Sequence, residues 1–221
     1  MPQYTLLIGN KNYSSWSLRP WLLMKQAGLA FEEVRIPLYT PESKAEIRKH
    51  SPSGKVPCLL DDGLAVWDSL AICEYLAEKH PALNLWPSDP EHRAVARSIS
   101  AEMHSGFQNL RQRMTMNCRG HFPGVGRSVE VAADIERIQR IWGNCRAKYG
   151  HGGAFLFGGF SIADAMYAPV ALRFRIYAVQ LDPVAREYAD TVLALPALQQ
   201  WVVDGAAETE VIAAFEPTVG R

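Results

Sequence analysis

No C-x-x-C pair, no metal-ligand spacing among the histidines and no polybasic tract occurs in this 221-residue chain. The four cysteines (Cys58, Cys73, Cys118, Cys145) are scattered, two of them inside apolar runs, which fits free structural thiols in a reducing compartment rather than disulfides or metal ligands. Lys plus Arg and Asp plus Glu both total 23, so the formal charge is zero and the footprint of a nucleic-acid or membrane-surface binder is missing. No apolar run approaches the ~20 residues of a membrane span. The opening "MPQYTLLIGNKN" has neither the basic region nor the long apolar segment of a signal peptide. Repeats and low-complexity tracts are absent as well. These absences leave a soluble, cytoplasmic protein whose partners are small molecules or other proteins, with no nucleic acid, membrane or metal.

What is present divides the chain in two. Tyr4–Gly9 reads as a strand, Leu18–Ala27 as a helix stopped by Gly28, and Phe31–Leu38 as a second strand with period-two alternation. Thr40-Pro41 predicts the start of a helix running to about His50. "VPCLLDDGLAVW" reads as a hairpin turning at Asp61-Asp62-Gly63, and Asp68 can cap the helix "SLAICEYLAEKH". Beyond "NLWPSDP" the strand signal disappears. Asp89-Pro90 opens a long helix bearing Val95, Ile99, Met103, Phe107, Leu110 and Met114, and Ser128 caps another. "SIAD" at Ser161 starts a third with an acid three residues after the cap. Two more helical stretches follow, 184–195 and 196–206. The expected organisation is a small α/β domain over residues 1–82 and an all-α domain over residues 90–221.

Three short stretches carry candidate chemistry. In "NKNYSSWSLRPW", Pro20 is best tolerated in the first helical turn, which makes Ser17 the expected cap and leaves Ser14 and Ser15 in the loop ahead of it. A helix start attracts an anion or thiolate, and a serine hydroxyl there can donate to it; capping and turning alone would also account for all three serines. In "SPSGKVPCLL", Val56-Pro57 at a strand start is either an ordinary trans step or a cis bond that presents the Val56 backbone to a ligand. In "WDSLAI", Asp68 and Ser69 at a helix mouth could cap, or could hold an ammonium and a carboxylate.

In this order the stretches resemble the thioredoxin-like domain of the cytosolic glutathione transferases, and "FSIADAMYAPV" resembles that family's buried helix start in the α-domain. The resemblance runs from Tyr4 to about Ala206. It implies a thioredoxin-like N-terminal domain, an all-helical C-terminal domain, glutathione as co-substrate, and a homodimer. "YSSWS" is similar to the S-S-C-S run of the zeta class, which implies Ser14 as the sulfur-facing hydroxyl, with Ser15 its rival and Trp16 in the cysteine's place. For glutathione the resemblance implies Val56 pairing with the cysteinyl portion, a cis Pro57, Asp68 on the γ-glutamyl ammonium, Ser69 on its carboxylate and Lys55 near the glycine end. The electrophile is expected between the domains, against Trp16, Trp21, Met103, Phe107 and Arg111; for Met103 and Phe107 a core stripe is the competing reading. Arg173 and Arg175 are expected in structural salt bridges, and His104 at the surface or a pocket rim rather than as a general base. Lacking a cysteine in "YSSWS", the chain reads as an enzyme that conjugates glutathione to a small hydrophobic electrophile. The alternatives are a glutathione-dependent isomerase or lyase, or a non-catalytic binding protein on the same scaffold.

Overall fold

A computed structural model describes residues 4–217. Its first part is built on a four-stranded sheet of β1 (Tyr4–Ile8), β2 (Phe31–Arg35), β3 (Cys58–Asp61) and β4 (Leu64–Trp67), in the order β2-β1-β3-β4. β1 and β2 run parallel, joined by helix α1 (Ser15–Gln26); β3 lies antiparallel to β1 and turns tightly into β4. Asp62 and Gly63 make that turn with φ of 45° and 84°, the left-handed pair a two-residue hairpin requires.

Alternation along β1 sends Tyr4, Leu6 and Ile8 to one face, under α1 and α3 (Ser69–Lys79), and Leu7 to the other. On that second face Leu7, Ile36 and Cys58 form a small core with Ile47 of α2 (Ser43–Arg48). α2 starts later than expected. The Thr40 and Ser43 side chains accept from each other's backbone N–H (3.2 and 2.8 Å), closing a turn that keeps Thr40-Pro41 outside the helix.

The rest is helical: α4 (Pro90–Ser105), α5 (Gln108–Arg113), α6 (Val129–Tyr149), α7 (Ile162–Ile176), α8 (Pro183–Leu193) and α9 (Pro196–Ala207). The single long helix expected after Asp89 is therefore two. At Gly106 a Cβ would lie 2.7 Å from the Glu102 carbonyl, and Phe107 adopts a left-handed φ of 55°, so the chain turns there and restarts as α5. Met103, Phe107 and Arg111 consequently do not share one straight face.

The expected caps of α3, α4 and α6 are present: Asp68, Asp89 and Ser128 each accept a first-turn N–H. α7 is buried along almost its whole length and packs against α1, α4 and α8. One hydrophobic core thus runs through both parts, from Leu6 and Leu59 in the sheet to Trp142 and Leu198 in the helices. All four cysteines are free. Among the described residues no helix is long and apolar enough to cross a membrane.

Candidate active site

The first helix begins three residues earlier than Pro20 suggests. Ser14, not Ser17, is the cap: its Oγ accepts the Ser17 N–H at 3.3 Å, and α1 starts at Ser15. Pro20 then falls inside the helix, where it withholds an N–H at a cost of about 3 kcal/mol. Leu18, Trp21, Leu22, Leu23 and Met24 are all buried on this helix, each contributing about 1.5–3 kcal/mol, so packing outweighs the lost bond. Ser17 has a different task. Its Oγ accepts from Gly9 N (3.1 Å), just past β1, and from the Ser14 hydroxyl (2.8 Å), tying the loop to the sheet.

Ser15 is also buried, and its Oγ accepts from Nη2 of Arg173 on α7 at 3.1 Å. The Arg173 guanidinium is held in place by the carbonyls of Met114 (2.8 Å) and Pro169 (3.3 Å). Neither Arg173 nor Arg175 has an ion-pair partner among the described residues; the expected salt bridges do not form, because Arg173 turns inward to Ser15 while Arg175 is exposed. Burial, then the nearby Arg111, lowers Arg173 to about 10. Arg19, buried one turn into α1, is lowered to about 9 by burial and by Arg173 and Arg111. Its Nε has no hydrogen-bond partner, and Nη1 reaches only Ser69 Oγ at 3.5 Å.

Trp16 joins these cations. Its ring lies 4.3 Å from the Arg19 guanidinium, 5.2 Å from that of Arg111, and meets His104 edge-on. His104 Nε2 is in turn 3.2 Å from Asp68 Oδ2, and burial lowers the His104 pKa. Asp68 caps α3 with a φ of 54° and ψ of 156°, a strained conformation for a residue with a Cβ. Val56-Pro57 is cis, and neither Val56 N–H nor C=O is hydrogen-bonded within the described residues.

Two cavities flank Trp16. One of about 520 Å³ is lined by Lys55, Val56, Pro57, Trp67, Asp68 and Ser69. The other, about 510 Å³, is lined by Ser14, Ser15, Val56, Arg111, Arg173 and, from the C-terminal segment, Phe215. Trp16 and Val56 belong to both, so the cavities form one cleft from the start of α3 to the start of α1.

Most expected site residues meet on this cleft: Ser14, Ser15, Trp16, Lys55, Val56, Pro57, Asp68, Ser69 and Arg111. Three do not. Met103 and Phe107 are buried in the core, as the stripe reading held. Trp21 meets Trp201 of α9 edge-to-face and donates to Glu33 Oε2 at 2.6 Å, away from both cavities. Sequence reasoning missed Arg19 and gave Arg173 only a structural role. The signal was a permanent charge amid the apolar residues of "SLRPWLL" and "APVALRFRI". No cluster of three or more His, Cys, Asp or Glu among the described residues could hold a metal ion.

A mixed four-stranded sheet domain, an all-helical domain and a cleft at their junction define the architecture of a glutathione transferase. The glutathione S-transferase N-terminal domain family matches residues 13–79 and the C-terminal domain family residues 128–203. The chain belongs to the glutathione S-transferase family. It is 30% identical to a probable maleylacetoacetate isomerase of Caenorhabditis elegans, over 83% of this chain and 85% of that protein. To glutathione S-transferase Z2 of Arabidopsis thaliana it is 26% identical, over 90% and 93%. A crystal structure of a glutathione transferase homologue from Burkholderia with bound glutathione superposes with a TM-score of 0.70 at 25% identity, covering 93% of this chain and 98% of that one.

Proposed function

We propose that the cleft binds glutathione in an extended pose, holds its sulfur as thiolate at the start of α1 and presents it to an electrophile that carries a carboxylate. One observation carries this reading: the continuous cleft with a helix start at each end, the one at α1 buried, and a bare backbone edge between them. At the α3 end, Asp68 would take the γ-glutamyl ammonium, and Ser69 with the free N–H groups of the first turn its carboxylate. Val56 would pair with the cysteinyl backbone as an added strand does. At the α1 end, Ser14 or Ser15 would donate to the sulfur, where the helix dipole already favours negative charge. Glutathione's proton leaves to solvent, the sulfur keeps the electron pair, and the fixed donors hold the thiolate for attack.

The residues beyond the sulfur favour an anionic partner over the small hydrophobic electrophile expected from sequence. Arg111 and Arg173 line that cavity, and no carboxylate within the described residues pairs with either as a salt bridge. The same observation, with the isomerase relatives, supports a second reading. The thiolate would add to a cis carbon–carbon double bond of an unsaturated dicarboxylate, the new single bond would rotate, and the thiolate would leave again. Glutathione consumption separates the two: conjugation consumes one equivalent per turnover, isomerisation none.

Calorimetric titration with glutathione tests the shared core of both readings. Saturable binding that Asp68→Ala weakens about tenfold, the worth of one charge-assisted contact, is expected; no binding by the intact protein would point to a non-catalytic member. We also place the chain as a cytoplasmic homodimer, which the exposed Leu64 and Trp67 on edge strand β4 support. Light scattering of the purified protein checks the dimer.

A further inference from the structure

Ser14 and Ser15 both line the cavity at the start of α1, but their hydrogen bonds commit them differently. Ser14 Oγ is spent in both directions: it accepts the Ser17 N–H and donates its proton to Ser17 Oγ at 2.8 Å. That chain of bonds leads back to Gly9 at the end of β1, away from the cleft. Ser15 Oγ makes a single hydrogen bond, the one it accepts from Arg173, so its proton is uncommitted among the described residues.

We propose that Ser15, rather than Ser14, is the hydroxyl that faces glutathione's sulfur, and that Arg173 is its positioning residue, occupying a lone pair of the Ser15 oxygen so that the Ser15 proton is left for the thiolate. The proposal rests on the glutathione-activating reading above. Arg173 suits the role because its guanidinium cannot swing. Nε and Nη1 are anchored to two backbone carbonyls, which fixes Nη2 on Ser15. A donor that enters a hydroxyl oxygen polarises its O–H bond and strengthens the bond that hydroxyl donates onward. In the chemical step, the thiol S–H bond breaks and its proton goes to solvent. The sulfur keeps the electron pair, and Ser15 keeps its proton while donating to that sulfur.

The charge around Ser15 agrees. Arg19 on α1, Arg111 on α5 and Arg173 on α7 bring three positive charges here; burial lowers the pKa of each, Arg173 and Arg111 lower Arg19 further and Arg111 does the same to Arg173, while Asp68 and Asp134 act in the opposite sense on Arg19 and Arg111, and an anion held among them is favoured. Tyr177, at the end of α7, is engaged with Thr115. The carboxylate brought to this loop by the C-terminal segment, Glu216, is already covered by the Tyr13 hydroxyl (2.5 Å), Asn117 (3.0 Å) and Arg119 (4.0 Å). Among the described residues it forms no salt bridge with Arg19, Arg111 or Arg173.

The test is a pH titration of the near-ultraviolet thiolate absorbance of bound glutathione in the wild type, Ser15→Ala, Ser14→Ala, Arg173→Lys and the Ser15→Ala/Arg173→Lys double variant. Calorimetry confirms binding in each. Ser15→Ala is expected to raise the bound thiol's pKa by about one to two units, the shift one hydrogen bond to a charged group produces. Ser14→Ala is expected to stay within about 0.3 unit of the wild type, below what a lost sulfur contact would cause. Arg173→Lys should raise the pKa when Ser15 is present and add nothing in the Ser15→Ala background, which a merely structural arginine would not do. A pKa raised by Ser14→Ala and unmoved by Ser15→Ala would overturn the proposal, as would an equal Arg173→Lys effect in both backgrounds. Should the arginine variants fail to fold, the comparison of the two serines still decides. If the wild type does not bind glutathione at all, the functional reading fails with the proposal; binding with an unmoved pKa in Ser15→Ala sinks the proposal alone.

Discussion

At the start of α7, Ser161 and Asp164 close a capping box; at the start of α1, Ser14 caps alone, and no acidic residue occupies the first turn. Both are buried helix starts headed by a serine. Around α7 the positive end of the helix meets an internal carboxylate. Asp164 accepts from Leu156 N, Ser161 N, Ser161 Oγ and the Tyr188 hydroxyl, all within 3.2 Å. Around α1 the neighbours are cations, Arg19 and Arg173, and among the described residues no carboxylate is hydrogen-bonded to Ser14 or Ser15. The same local device serves structure when the chain supplies the negative charge, and can serve binding when the chain withholds it.

Removing the internal acid should break this comparison most severely. Asp164→Ala strands four buried donors and is expected to cost about 3–5 kcal/mol of stability in urea unfolding. Turnover per folded molecule should hold, since Asp164 lines neither cavity of the cleft. A milder version uses pH. Burial raises the Asp164 pKa to about 6, against about 3.9 in the unfolded chain. The folded state therefore holds this proton more tightly, so the group's contribution to stability is greatest below about pH 4 and declines as the pH rises through about 6, by about 3 kcal/mol in all. Unfolding free energies of the wild type and Asp164→Asn across this window should show that decline only in the wild type.

The α1 end responds to ligand charge. Arg111→Met is expected to raise KM for an unsaturated dicarboxylate about tenfold, roughly 1.4 kcal/mol, while changing KM for a neutral aryl halide by less than about twofold. Equal losses on both substrates would remove the case for an anionic electrophile. The smallest effect should come from the lone cap: Ser14→Ala is expected to lower stability by about 1 kcal/mol, read as a shift in the urea midpoint at unchanged slope. A loss as large as that of Asp164→Ala would mean the two helix starts are not built differently after all.

Much of the fold was legible because its signals are local. The hairpin shows in Asp62-Gly63, the caps of α3, α4 and α6 in Asp68, Asp89 and Ser128, and α7 in the serine–acid spacing of its first turn. At the other end of the cleft the Asp68 cap was legible for the same reason, whereas the residues around Val56-Pro57 left a trans and a cis bond open, and it was the family resemblance that implied the cis bond the structure has. Elsewhere local reasoning chose the wrong balance. Pro20 argued for a cap at Ser17, yet the apolar face of α1, which only the assembled core buries, outweighs one missing hydrogen bond. The pattern from Val95 to Met114 argued for one helix, and the break at Gly106-Phe107 interrupts it.

The sequence by itself therefore determined the two-part architecture and the presence of a serine-bearing helix start, since these depend on periodicity and caps over short spans. Tertiary structure alone decided how the hydroxyls of Ser14 and Ser15 are hydrogen-bonded. Ser15 and Arg173 are 158 residues apart in the chain, and only the packing of α7 against α1 brings a buried guanidinium onto one hydroxyl while Ser17 takes up the other. A hydrogen bond between such distant residues leaves no spacing to read; it exists because burying an arginine demands partners for its donors, and the fold supplies them there.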